Sequence, residues 1–108
     1  MQKLSLDAVA REQLDRARSS NAGRSAETVY GGHEQTLRQT LIALTADARM
    51  SEHESPGEAT LHVLSGRVRL RAGTDDWEGR NGDLLVIPSA RHEVEALEDS
   101  VVLLTVAK

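Results

Sequence analysis

From Ala26 to Ala107 the chain never keeps an apolar pattern for longer than one short strand. The runs AETVYG, TLRQTLIAL, ATLHVLSG, RVRLRAG, DLLVIP, HEVEAL and VVLLTVA follow one another, punctuated by Gly, Asp, Asn and Ser. Short strands with turn residues between them cannot bury their apolar faces singly, so a sandwich or a closed barrel is the architecture they permit. In RVRLRA, Arg67, Arg69 and Arg71 alternate with Val68, Leu70 and Ala72, giving one charged and one buried face, as in a half-exposed antiparallel strand. Asp75, Asp76 and Glu78 follow across a predicted hairpin turn. A solvated face with cross-strand ion pairs is therefore preferred to an anion-binding stripe.

Ahead of the strands lies one helical pattern. Leu6, Val9, Ala10, Leu14 and Ala17 form a stripe, with Ser5 as N-cap and Asp7 in the first turn; SSNAG at 19–23 ends it. The chain of 108 residues suits one domain, with 1–22 as a helical appendage and 27–108 as the barrel. Phe is absent, and Tyr30 and Trp77 are the only aromatics, so the core falls to Leu, Val, Ile and Ala. Stacking platforms for bases are missing.

Charge narrows the partners. Seventeen acidic against 13 basic side chains disfavour the positive surface that phosphate backbones need, so no nucleic acid is expected. There is no cysteine, hence no disulfide or thiolate chemistry. MQKLSLDAVAREQL lacks the apolar run of a signal peptide and no stretch has the length of a membrane span, so a cytoplasmic protein with no membrane partner is the expectation.

Pro88 stops the apolar run of GDLLVIP, because a central strand cannot carry its hydrogen-bond ladder through proline. His92 then opens the next run, just past a corner. HESPGEATLHVLSGRVRL followed by GDLLVIPSARH resembles the two motifs of the cupin superfamily: His53, Val63, Leu64 and Gly66 match the first, and Gly82, Asp83, Pro88 and His92 the second. The resemblance implies a mostly-β fold, a cupin-type jelly-roll barrel with one N-terminal α-helix. It further implies an interior site. In metal-binding cupins three histidines and a carboxylate hold a divalent transition metal such as Fe, Mn, Ni or Zn. Here Ser55 replaces the second histidine, Ala59 falls at the glutamate position, and Ala90 replaces the usual glycine. Of the four ligands, His53 and His92 carry over, and completing a site would require His33, His62 or Glu58. A one-residue offset turns Glu58 to the other face unless a bulge intervenes. Alternation sends His62 outward, and His33 reads as a loop residue. Trp77 reads as a hairpin anchor and Met50 as core.

Three functions are consistent with this reading. The first is a small-molecule-binding barrel whose pocket is lined by His53, Ser55 and His92. The second is a metal-dependent enzyme of the dioxygenase, isomerase or decarboxylase type using His53 and His92; the third is a dimeric interaction protein without a ligand. The missing ligands favour the first. Val101–Leu104 have no polar alternation, so one face needs the core and the other a partner subunit or the helix; a homodimer is expected.

Overall fold

The computed structural model describes residues 2–53 and 57–107. Helix α1 (Leu6–Ser19) leads into β1 (Arg24–Tyr30), β2 (Leu37–Leu44), β3 (Arg49–His53), β4 (Glu58–Ser65), β5 (Arg67–Ala72), β6 (Asp75–Arg80), β7 (Leu84–Val86), β8 (His92–Ala96) and β9 (Ser100–Ala107). All pairings are antiparallel. They build a five-stranded sheet ordered β1-β2-β9-β4-β7 against a four-stranded sheet ordered β3-β8-β5-β6. The barrel begins at Arg24, three residues before the expected 27. Among the described residues no helix is long and apolar enough to cross a membrane.

The central strands of the larger sheet are apolar on both faces, and each face has its own cover. Ile42, Leu44, Val102, Val106, Leu61 and Val63 point inward, to meet Val68, Leu70, Val94 and Ala96 of the smaller sheet. Leu41, Ala43, Val101 and Leu103 point outward and are covered by Leu6, Val9, Ala10, Leu14 and Ala17, the stripe expected for α1. Burial of each large aliphatic there is worth about 1.5–3 kcal/mol. The outer face of β9 at Val101–Leu104 thus meets the helix rather than a second subunit.

Ser5 caps α1 as expected, its Oγ accepting from the Ala8 amide at 3.2 Å. A residue outside the apolar stripe also docks the helix. Gln13 is buried, with Oε1 accepting from Ser25 Oγ at 2.5 Å and Nε2 donating to Glu27 Oε1 at 3.2 Å, both on β1. The arginine face of β5 is charge-paired: Arg67 with Glu78 at 3.8 Å, Arg69 with Glu95 at 3.8 Å and Arg71 with Asp76 at 3.9 Å. The solvated reading of that face holds. Two strands lay outside the expected runs, the polar β3 and the acidic start of β6, and both are sheet edges.

One end of the barrel is sealed. Ser100, fully buried and level with Leu44, accepts from the Arg67 amide at 3.0 Å and donates to the Glu98 carbonyl at 2.7 Å. Gly66 turns the chain beside it with φ 92°, and a Cβ there would lie 2.3 Å from Ser100 Oγ and 2.4 Å from the Asp99 carbonyl. Only glycine fits this turn; the left-handed backbone alone would cost another residue about 1–3 kcal/mol.

The same end fastens the helix. Asp99 Oδ2 accepts from Arg18 at 3.1 and 3.2 Å, and Oδ1 accepts from the Ala46 amide at 3.0 Å. The Ala46 amide and then the Arg18 guanidinium hold the Asp99 carboxyl below its ordinary value. Its contribution is therefore full above the unfolded-state value of about 4 and is lost as pH falls through the lowered folded value. Because the pair is more than a third exposed, this is worth no more than about 1 kcal/mol. Asp99→Asn should lower the urea midpoint at pH 7, and the gap to the wild type should narrow by about pH 3. A gap that is constant with pH would show that the carboxylate charge contributes nothing.

Candidate functional site

The other end of the barrel is where side chains of mixed chemistry meet. Across the larger sheet, Arg38 is level with Val106 and Val106 with Ala59, while the Ile87 amide donates to the Ala59 carbonyl at 3.0 Å. After Ile87 the Pro88–Arg91 corner carries the chain into the smaller sheet, where His92 opens β8 level with His53 of β3. Both rows thus lie at the end of the barrel that this corner joins. Ala59, Ile87 and Val106 are 7–8% exposed there, whereas Leu44, Val63, Val68, Ala96 and Val102 toward the sealed end are at 0%. The interior is slightly less completely buried at this end, called the mouth below.

Pro88 acts as the sequence predicts: β7 stops at Val86, and the backbone leaves one sheet for the other. The turn before β7 is held by Asp83, whose Oδ2 accepts from the Arg80 amide at 2.8 Å, and by the Gly82 amide donating to the Val63 carbonyl at 2.7 Å. His92 is 3% exposed. Its Nδ1 lies 2.9 Å from the Ala90 carbonyl oxygen. A carbonyl only accepts, so Nδ1 bears a proton in this contact. The corner residue thus orients the ring.

His53 is brought opposite His92 by an irregularity. Met50 pairs with Val94 and His53 with His92, so three residues of β3 span two of β8. This β-bulge resets the register, and positions 50 and 53 come level with successive inward residues, Val94 and His92. The expectation that Met50 packs in the core holds. Ser55, the third expected pocket residue, lies outside the described residues.

The remaining candidates for metal ligation are placed elsewhere. The pairing of β4 with β9 is unbroken from Glu58 to Val63, so no bulge turns Glu58 inward. Glu58 is exposed, on the face opposite to buried Ala59. His62 is level with Leu103 and Leu84 on the outer face, and His33 is exposed in the turn before β2. A catalytic transition-metal site ordinarily takes three protein ligands. At the mouth the described chain offers His92 and the register position of His53, with the Ala59 methyl at the carboxylate's place. Among the described residues no group of three or more His, Cys, Asp or Glu side chains is placed to hold a metal ion. Elemental analysis of protein purified without chelator should find well under one Fe, Mn, Ni or Zn per chain. Near-stoichiometric metal, lost in His53→Ala and His92→Ala, would overturn that judgement.

A second opening lies along the seam between edge strands β1 and β3. It is a cleft of about 450 Å³ lined by Arg24, Ser25, Ala26, Ile42, Met50 and Ser51. Arg24 bridges the seam, donating from Nη1 to the Arg49 carbonyl at 2.6 Å. From Ile42 the same face of β2 continues toward the mouth through Thr40 to Arg38. Sequence reasoning missed both. Their parity with Ile42 and Leu44 is the signal, but β2 is apolar on both faces, so parity alone could not tell inside from outside. Trp77, level with Leu70 on edge strand β6, is 45% exposed.

The fold has well-matched solved counterparts. A Cupin 2 conserved barrel domain protein from Salinispora arenicola superposes with a TM-score of 0.72 at 15% identity, covering 100% of this chain and 89% of its own. An RmlC-like cupin protein from Desulfovibrio desulfuricans gives 0.68 at 26% identity, covering 78% and 81%. A cupin superfamily protein from Desulfitobacterium hafniense gives 0.71 at 14% identity, covering 78% and 76%. No protein-family model matches the sequence, and no curated protein matches it at a significant level. The likenesses establish a small cupin-fold domain with one helix.

Proposed function

We propose that this cupin-fold chain binds a small organic molecule in the mouth of its barrel, with His53, Ser55 and His92 as polar contacts. The observation that carries the reading is the position of His92. A titratable ring, buried and hydrogen-bonded to the Ala90 carbonyl, stands at the less completely buried end of an otherwise aliphatic interior. Pockets for small ligands have this composition, apolar walls with a few fixed polar groups. The want of a three-ligand group among the described residues favours binding over metal-dependent catalysis. The test is a fragment library screened by thermal shift, with hits mapped on the His92 ring resonances. Hits that move those resonances and weaken at least tenfold in His92→Gln are expected. Hits that map only to the outer faces would sink the reading.

We also propose that the chain forms a homodimer, through the part of the larger sheet that α1 leaves bare. Leu84 and Val86 on edge strand β7 are 59% and 74% exposed, and His62 and Thr60 of β4 stand beside them in register. A second copy of this face would bury both aliphatics, and β7 offers an unpaired strand edge. Sedimentation should give a dimer at tens of micromolar and a monomer for Leu84→Glu with Val86→Glu. A wild-type monomer at that concentration would refute it.

A further inference from the structure

We propose that the molecule bound at the mouth is a small carboxylate, and that Arg38 receives its charged end. The inference rests on the barrel-mouth reading above and adds to it the chemical class of the ligand and a residue that positions it.

Register fixes which way Arg38 lies. Its partner Val106 belongs to the inner core, as do Val102 opposite Ile42 and Leu104 opposite Thr40. Arg38 therefore stands on the barrel-facing side of β2, half-buried, at the mouth end of the row Arg38, Val106, Ala59, Ile87. On the smaller sheet, four strand arginines are neutralised from outside, and Arg80, at the end of β6, is exposed. Arg49 lies near Glu93 and Glu95, Arg67 near Glu78, Arg69 near Glu95 and Arg71 near Asp76. Arg24 is spent on the Arg49 carbonyl. Arg38 makes no ion pair or hydrogen bond among the described residues, although the chain carries more acidic than basic groups.

A half-buried guanidinium beside Val106 has lost part of its hydration without gaining a counter-ion among the described residues. Its planar fork of donors matches a carboxylate in two parallel hydrogen bonds. Two residues along β2, at the exposed β1 edge, the Thr28 and Thr40 hydroxyls lie 3.4 Å apart and offer neutral polar contacts, while Ile42 and Leu104 supply an aliphatic wall. A single cation among aliphatic and hydroxyl groups suits a monoanion with a short carbon body. A phosphate dianion would need more positive charge than this row supplies.

The experiment is a titration followed by NMR, with butyrate and butyramide as a matched charged and neutral pair and inorganic phosphate as a competing oxyanion. The proteins are the wild type, Arg38→Gln and Arg38→Lys. Butyrate should shift the Arg38 side-chain and the Ile42 and Val106 methyl resonances, bind at least tenfold more tightly than butyramide, and lose that margin in Arg38→Gln. Arg38→Lys, which keeps the charge without the fork and guards against a folding defect in Arg38→Gln, should retain part of the margin. Equal binding of butyrate and butyramide, or a butyrate affinity untouched by Arg38→Gln, overturns the carboxylate assignment and leaves the barrel-mouth reading standing. Tighter binding of phosphate than of butyrate overturns the ligand class. Absence of any mouth resonance shift with both organic probes in all three proteins counts against both readings together.

Discussion

The register of β9 is the constraint on which the rest of the molecule depends. Lying between β2 and β4, this strand fixes which residues of its two neighbouring strands face in. A slip of one position would send Val102, Leu104 and Val106 outward and bring Thr105 inward. Because its opposite face is also apolar, the strand demands two covers. The smaller sheet supplies one and α1 the other, which makes the helix part of the fold rather than an ornament on it. The placement of Arg38 follows from the same register.

Much of this architecture is written locally in the sequence. The Leu6-to-Ala17 stripe, the alternation in RVRLRA and the proline stop at residue 88 each carry their own period or steric rule, and each appears in the structure where that rule puts it. Strand β3 was not legible, because ARMSEH has no apolar alternation and is held as a strand by pairing with β8. Gln13 was invisible for a related reason. A buried glutamine has no periodic signature, and only the approach of Ser25 and Glu27 from β1 gives it partners. The site was half legible. The motif resemblance pointed to His53 and His92, and register pairs them, but the bulge that makes them level cannot be inferred from residue types. Ile42 and Leu41 are both apolar, so no alternation told which side of β2 Arg38 and Thr40 would take.

Charge is distributed by side. The outer face of the smaller sheet interleaves Arg49, Arg67, Arg69 and Arg71 with Asp76, Glu78, Glu93 and Glu95, a lattice of exposed pairs each worth little on its own. The interior holds few polar groups, with Ser100 at the sealed end and His92 at the other. Substitutions in the outer lattice alter surface charge, while substitutions at inward positions of β2 and β8 bear on the proposed binding.

The clamp between Arg18 and Asp99 joins residues 81 positions apart, and it implies an order of assembly. The surface that α1 covers is made of Leu41, Ala43, Val101 and Leu103, and exists only once β2 has paired with β9, the last strand of the chain. A helix of 14 residues is marginal by itself in water. Although α1 is synthesised ahead of the strands, it finds its cover only once β9 has paired, and until β9 arrives both α1 and the outer face of β2 remain exposed to whatever else would bind them.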